Sequence, residues 1–112
     1  MNNQKNIVLC GVGGQGTVLA SKLLAAAAMS KDIPVMSAET IGMAQRGGSV
    51  FSHLRMGNDL YSPMIETGTA DLIIGFEPGE TVRMLPYLKT GGHVVVSTRA
   101  VKPVTATLSG FD

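Results

Sequence analysis

The sequence has a single cysteine and little charge of either sign. Cys10 cannot form an intramolecular disulfide, and alone it cannot hold a zinc ion or an iron-sulfur cluster, which need several thiolates or imidazoles. The net charge is only +1, and basic and acidic residues are scattered along the chain. No charged patch therefore suggests a nucleic-acid or anionic-membrane partner. We expect no metal on this chain, and neither nucleic acid nor a membrane as its partner.

Long hydrophobic runs are missing as well. The longest, Val18 to Met29, is interrupted by Ser21 and Lys22 and falls short of the about 20 apolar residues that span a bilayer. The polar residues 1–6 lead directly into a strand-like segment, without the apolar stretch and cleavage site of a secretory signal. The sequence therefore predicts no transmembrane helix and a cytoplasmic location.

The chain does have enough apolar content for one domain. Its 112 residues are 45% hydrophobic, which supports one buried core but is short for a sheet that is covered on both faces. Residues 6–10 predict a buried strand, 17–30 an Ala- and Leu-rich helix and 34–38 a second strand. This order is typical of a βαβ unit and implies that the two strands form a parallel pair.

The alternation of strands and helices continues further along the chain. The predicted elements are a strand with one half-exposed face over 49–56, a strand over 70–76, a short helix over 79–88 and a strand over 93–97. The pattern weakens after Thr98 and no element closes the sheet. We therefore predict the α/β class, as a Rossmann-like three-layer domain with a mostly parallel sheet, truncated at its C-terminus.

A glycine-rich segment lies between the first predicted strand and the helix. It contains the spacing G-x-G-x-x-G, in which glycines permit positive φ and let a phosphate approach the N–H groups at the helix start. Glu39 lies about 20 residues further on, at the predicted end of the second strand, where a dinucleotide fold places its ribose-binding carboxylate. A tight turn alone, nucleotide binding and an interface role all remain open. The candidate binding residues are Gly11, Gly13, Gly14, Gln15, Gly16, Thr17 and Glu39.

A second candidate segment reads Gln45-Arg46-Gly47-Gly48. Two glycines allow a sharp backbone bend beside a projecting guanidinium, which is a natural partner for a carboxylate or a phosphate. The alternative is that Arg46 pairs with a nearby carboxylate such as Glu39 or lies in solvent.

The remaining polar candidates are predicted to be structural. His53 and His93 lie in different strands without neighbouring ligand residues, and Cys10 at the end of the first strand is predicted to be a buried, unreactive thiol. Glu77 and Glu80 favour the role of helix-start carboxylates over that of ligands. No catalytic residue is assigned to this chain.

Several separated motifs follow one another along the sequence: Gly11–Gly16, Glu39–Val50, Ser62-Pro63, Gly68–Leu72 and Phe76–Pro78. Together, and in this order, they resemble the γ-type domain of the pyruvate/2-oxoacid:ferredoxin oxidoreductases. The resemblance covers nearly the whole chain. Because members of that family are usually longer, residues 1–112 are expected to form one incomplete domain of this type.

The resemblance implies a subunit of an enzyme that oxidatively decarboxylates an arylpyruvate, with coenzyme A as acyl acceptor and ferredoxin as electron acceptor. It also implies a larger partner subunit that carries thiamine pyrophosphate and iron-sulfur clusters, so that this chain has no cofactor and is inactive alone. By resemblance, the glycine segment and Arg46 belong to the region that supports the site. No physical feature distinguishes indolepyruvate from phenylpyruvate, pyruvate or 2-oxoglutarate. The competing interpretations are a free-standing Rossmann-type nucleotide-binding module and an interaction domain without a ligand.

Overall fold

The computed structural model describes residues 4–12, 16–41 and 49–97, which form a five-stranded sheet flanked by helices. The elements are β1 (Lys5–Val12), α1 (Thr17–Ser30), β2 (Val35–Ile41), β3 (Ser49–Met56), β4 (Ala70–Gly75), α2 (Pro78–Met84), a 3₁₀ turn (Leu85–Tyr87) and β5 (Leu88–Val96). The spatial order of the strands is β2-β3-β1-β4-β5. Among them only β3 runs opposite to the others. The predicted α/β class and the mostly parallel strand direction are therefore confirmed.

Alternate residues of β1 contribute to two separate hydrophobic clusters. Ile7 and Leu9 lie beneath α1 on one face of the sheet, whereas Val8 and Cys10 lie beneath α2 on the other. All four are buried, which explains why β1 reads as an unbroken apolar run. Helices on opposite faces give the predicted three-layer arrangement. No helix in the described part of the chain is long and apolar enough to cross a membrane.

The predicted parallel pairing of β1 with β2 is wrong, because β3 lies between them and is antiparallel to both. Only residues 42–48 connect β2 to β3. Parallel neighbours need a crossover connection of a dozen or more residues, so a link of this length favours an antiparallel return. The returning strand then occupies the place beside β1 that a βαβ unit would give to β2.

The predicted half-exposed face of β3 is found only in part: Phe51 and Arg55 are partly exposed, but His53 between them is buried. Ser52, His53 and Leu54 are all buried, at 0%, 3% and 0% relative exposure. As an interior strand, β3 is covered by α1 on one face and by Ile65 and Tyr87 on the other. The alternation of polar and apolar residues therefore does not mark a solvent-facing side here.

Strand β5 begins at Leu88, five residues before the predicted start at His93. Gly91 lies inside the strand in the left-handed region, with φ of 83°, rather than in a preceding turn. The register between β4 and β5 shifts at this point, between Ala70 and Leu72. Glycine in a strand often marks such an irregularity, and here it extends the strand instead of ending it.

Candidate functional site

The glycine-rich segment and the segment that contains Arg46 both join the sheet at the same ends of its strands, where β1 ends and β3 begins. We call this end of the sheet the α1 edge. β1 ends at Val12, which is paired directly with Ser49, the first residue of β3. Segment 13–15 leaves β1 at this point, and segment 42–48 enters β3 beside it. The strand register therefore brings the attachment points of the two motifs together. The predicted site residues Gly13, Gly14, Gln15, Gln45, Arg46, Gly47 and Gly48 lie outside the described residues, so their roles remain predictions.

Helix α1 begins at this edge without a side-chain cap. Its N-cap residue, Gly16, has φ of 87°, and a Cβ there would meet nothing within 4 Å. Glycine is therefore favoured at position 16 because the backbone is left-handed there. A side chain would not clash with any neighbouring atom. The first turn of α1 contains no acidic residue. The partial positive charge of the helix start is therefore not neutralised by a carboxylate of its own first turn.

Thr17, the first residue of α1, has a buried hydroxyl at the same place. The residue is 3% exposed, and its Oγ1 has no hydrogen-bond partner in the described part of the chain. It lines a cavity of about 170 Å³ together with Val12, Gly16, Val18 and Val50. A buried hydroxyl left without a partner costs about 1–3 kcal/mol. An anionic oxygen in this cavity would satisfy the hydroxyl and lie at the positive end of the helix.

Glu39 does not lie where the dinucleotide interpretation requires it. It is exposed, it pairs with Ser52 of β3, and β2 continues beyond it to Ile41, so the predicted position at the strand end is wrong. It lines a crevice between α1 and β2 together with Lys22. Because β3 intervenes, Glu39 is two strand spacings, about 10 Å, from the line of β1. A dinucleotide fold instead places this carboxylate on the strand next to β1.

Cys10 is fully buried beneath α2, as predicted. Its Sγ contacts Thr81 Oγ1 at 3.8 Å. Burial raises the pKa of the thiol, and this outweighs the opposing effect of the Thr81 hydrogen bond. Such a thiol carries little reactive thiolate. The described residues contain no group of three or more His, Cys, Asp or Glu side chains that could hold a metal ion.

His53 is a structural residue, as predicted. Its Nδ1 accepts a hydrogen bond of 2.9 Å from the backbone N–H of Ile65, and its ring contacts the Tyr87 ring edge-to-face at 5.6 Å between centroids. Burial lowers the pKa of the imidazole and favours the neutral form that can accept this bond. The His53 side chain therefore has a structural role: it attaches the segment after β3 to the sheet.

The two acidic residues near the end of β4 stabilise the start of α2, as predicted. Glu77 is the N-cap, and its Oε1 accepts a hydrogen bond of 2.8 Å from the backbone N–H of Glu80. Glu80 in turn pairs with Arg83 at 3.4 Å. Carboxylates at the start of a helix stabilise it, because they interact favourably with the positive end of the helix macrodipole.

A cavity of about 690 Å³, which was not predicted, lies at the opposite ends of the strands, where β1 and β4 begin and β3 ends. Arg55 donates hydrogen bonds there to the Asn6 side chain, the Gln4 side chain and the Ser62 carbonyl, at 3.0, 3.2 and 2.9 Å. These partners join β3 to β1 and to the segment before β4. Asn6 is separated by 49 and 65 residues from Arg55 and Asp71, so no local pattern reveals the network.

Asp71 is held by two contacts in this groove. Asp71 accepts a hydrogen bond of 2.8 Å from the Asn6 backbone N–H and forms an ion pair with Lys89. Burial raises the pKa of Asp71, but the bonds from Lys89 and Asn6 and the positive charges of Lys89 and Lys5 outweigh it, so the net pKa is lowered. The groove therefore holds strands together, and the candidate binding site remains at the α1 edge despite its smaller cavity.

Comparison with known proteins gives consistent matches. The profile of the family described as pyruvate ferredoxin/flavodoxin oxidoreductase matches residues 6–110. The chain is 45% identical over 103 residues to the indolepyruvate oxidoreductase subunit IorB of Pyrococcus horikoshii, covering 92% of this chain and 51% of that protein. It is 34% identical over 90 residues to the NADH-dependent phenylglyoxylate dehydrogenase subunit gamma of Aromatoleum evansii, covering 79% and 47%. The chain thus spans about half the length of the curated relatives it matches.

Solved structures share the fold. The 2-oxoglutarate:ferredoxin oxidoreductase of Magnetococcus marinus matches 92% of this chain and 18% of its own, with a TM-score of 0.75 and 21% identity. The pyruvate oxidoreductase subunit PORC of Thermotoga maritima matches 95% of this chain and 55% of its own, with a TM-score of 0.65 and 22% identity. At these identities the structures establish the fold alone.

Proposed function

The chain belongs to the pyruvate ferredoxin/flavodoxin oxidoreductase family, and we propose that it is part of the small subunit of an arylpyruvate oxidoreductase. The observation that carries the proposal is the 45% identity to an indolepyruvate oxidoreductase subunit, against 34% to a phenylglyoxylate dehydrogenase subunit. The proposed reaction converts an arylpyruvate and coenzyme A into the aryl-acetyl thioester and carbon dioxide. Its electrons pass to ferredoxin. The chain alone is inactive.

The redox cofactors are proposed to lie on a larger partner subunit. An iron-sulfur cluster of this kind requires several cysteine thiolates, and the only cysteine here is buried and hydrogen-bonded to Thr81. The residues of this chain therefore do not fit a cluster. We assign the clusters and thiamine pyrophosphate to the partner, and we propose that the complex lies in the cytoplasm.

The proposed role of this chain is to bind and orient an anionic group of a reactant. The start of α1 offers backbone N–H groups at the positive end of the helix, and the buried Thr17 hydroxyl, which lines the adjoining cavity, has no hydrogen-bond partner among the described residues. The segment that contains Arg46 joins β3 at the same edge. A phosphate of coenzyme A or the substrate carboxylate would match this chemistry. Arg46 would then contribute a charge-assisted, two-pronged hydrogen bond.

The test is a reconstituted assay with the larger partner subunit that the proposal requires. Arylpyruvate-dependent reduction of ferredoxin is measured anaerobically for wild type, Arg46→Ala and Arg46→Lys. Losing a charge-assisted contact should cost about 1.5–3 kcal/mol, so Arg46→Ala should lower kcat/KM roughly ten- to a hundredfold. Lysine should restore only part of the loss, because its point charge cannot form the bidentate contact. Arg83→Ala is the matched control, since Arg83 is exposed and pairs only with Glu80 in the described structure.

Four results would count against the proposal. Turnover or cluster absorption by this chain alone would place the cofactors here. A preference for pyruvate or 2-oxoglutarate over arylpyruvates would refute the substrate class. Equal activities of wild type and Arg46→Ala would remove Arg46 from the binding site, and a large loss of thermal stability in that variant would make it a structural residue instead.

A further inference from the structure

Helix α1 turns hydroxyl groups inward and two of its three leucines outward. Thr17 and Ser21 are buried beneath the helix, whereas Leu19 and Leu23 are 61% and 62% exposed. A helix at the surface of a globular domain normally turns its apolar face to the core and its polar face to solvent. Because the first two turns of α1 reverse this arrangement, these two leucines contribute little to the core of the domain.

The outward residues of α1 form a continuous stripe along the helix. They follow the spacing i, i+4, i+7, i+8 and i+11, which places them on one face. All are exposed and none is charged. The Ser30 hydroxyl donates a hydrogen bond of 2.7 Å to the Ala27 carbonyl, so its donor is satisfied when an apolar side chain covers it. We name this surface the α1 stripe; it consists of Leu19, Leu23, Ala26, Ala27 and Ser30.

The α1 stripe is complementary in shape to itself. Its two leucines lie in the first half of the helix, and its small residues lie in the second half. In an antiparallel pair whose twofold axis passes between residues 24 and 25, Leu23 lies opposite Ala26 of the second copy, and Leu19 lies opposite Ser30. Each large side chain then meets a small one, which allows two helices to pack closely. A parallel pair would instead place leucine against leucine and leave a gap between the small residues.

We propose that the α1 stripe binds the α1 stripe of a second copy of this chain, as an antiparallel pair with twofold symmetry. The pairing buries no charge, because Lys22, the only charged residue of α1, lies to one side of the stripe. The net charge of only +1 also gives little repulsion between two copies. A pair of 14-residue helices is small against the about 800 Å² that each partner buries in a standard interface, so we expect association in the micromolar range. This inference goes beyond the proposed reaction and does not depend on it.

The first test measures the oligomeric state of the 112-residue chain. Sedimentation equilibrium from about 1 μM to about 1 mM should show a reversible equilibrium between monomer and dimer. Leu23→Lys places a charge at the centre of the stripe and should weaken dimerisation by about tenfold or more, equivalent to about 1.4 kcal/mol. Val82→Lys is the matched control, because Val82 is 63% exposed but belongs to α2 on the other face of the sheet. It should change the dissociation constant by less than about twofold.

A second test exchanges the sizes of two side chains that face each other in the proposed pair. Ala26→Leu adds apolar surface, which would strengthen a nonspecific association. In the antiparallel pair the new side chain would meet Leu23 of the second copy, so the dimer should instead be weaker by about tenfold. Adding Leu23→Ala again places a large residue opposite a small one and should recover most of the affinity.

The outcomes of these tests are distinct. A chain that stays monomeric up to about 1 mM would overturn the proposal. Stronger dimerisation of Ala26→Leu, or equal effects of Leu23→Lys and Val82→Lys, would overturn it as well. Thermal melts followed by circular dichroism are run at concentrations where the wild type is monomeric. A clear fall in the Tm of Leu23→Lys there would show that another segment of the same chain covers the stripe, which also overturns the proposal.

Discussion

The contact between His53 and Ile65 makes stability depend on pH, and replacing His53 with Phe should reduce that dependence. The neutral imidazole accepts the Ile65 N–H at 2.9 Å in a buried environment. Burial lowers the pKa of His53 below its ordinary value of 6.5. The unfolded chain therefore binds a proton more readily than the folded chain. Stability is complete above the unfolded pKa and decreases as the pH falls from there towards the folded pKa, by at most about 1.36 kcal/mol per pH unit.

At high pH, the loss of stability in His53→Phe depends on which contacts of His53 the phenylalanine ring retains and which it loses. His53→Phe retains an aromatic ring that can contact Tyr87 edge-to-face. It removes the imidazole nitrogen that accepts the hydrogen bond from the buried Ile65 N–H, at a cost of about 1–3 kcal/mol. In a domain of about 100 residues, each kcal/mol lowers Tm by about 4–8 °C. At pH 8 the variant should therefore be clearly less stable than wild type.

Urea unfolding followed by circular dichroism at intervals from pH 8 to pH 5 measures both effects. The wild-type free energy of unfolding should decrease below about pH 6.5, whereas that of His53→Phe should change less, so that the two approach each other. His93→Gln is the control: His93 is exposed on β5, and its replacement should shift stability by less than about 0.5 kcal/mol. Equal stability of wild type and His53→Phe at pH 8, or parallel pH profiles, would refute the reasoning.

Two further predictions concern packing and ligand choice. A Cβ on Gly75 would lie 1.7 Å from Thr81 Oγ1 and 2.8 Å from its Cβ, so Gly75→Ala should cost about 1–3 kcal/mol in urea unfolding. Adding Thr81→Ala should recover part of that loss, and additive effects of the two changes would contradict the proposed clash. NAD(H) and NADP(H) should not raise Tm, although a true site at 100 times Kd would add about 2.7 kcal/mol. A shift that disappears in Glu39→Ala would instead favour the nucleotide-binding module.

Local sequence pattern predicted the elements well because each depends on neighbouring residues. The bounds of α1 and β3 match the structure, since an Ala- and Leu-rich run and a turn-bounded strand carry their own signals. Strand order does not have such a signal. Only the short link between β2 and β3 indicated that the two strands must be antiparallel neighbours, and the position of β3 beside β1 depends on contacts far apart in sequence.

The structural roles of some polar residues could be predicted because their position in the sequence indicates whether they are buried or cap a helix. Cys10 follows an apolar run and Glu77 precedes a helix, so their structural roles could be derived from position alone. The Arg55 network could not, because its partners come from β1 and from the segment after β3. Thr17 is a binding candidate in the sequence only because it follows the glycine segment. Its burial, and the absence of a hydrogen-bond partner among the described residues, are visible only in three dimensions.

The insertion of β3 changes which chemistry adjoins the glycine segment. In a dinucleotide fold the strand beside β1 is parallel to it, and its carboxyl end supplies the carboxylate that binds ribose. Here the neighbour is antiparallel, so the beginning of β3 lies beside the end of β1, as the pairing of Val12 with Ser49 shows. The segment entering β3 at that point contains Arg46 and no acidic residue, while Glu39 is displaced to the far side of β3. Reversing one strand thus replaces a ribose-binding carboxylate with a basic segment, which favours a carboxylate or phosphate ligand over a nicotinamide dinucleotide.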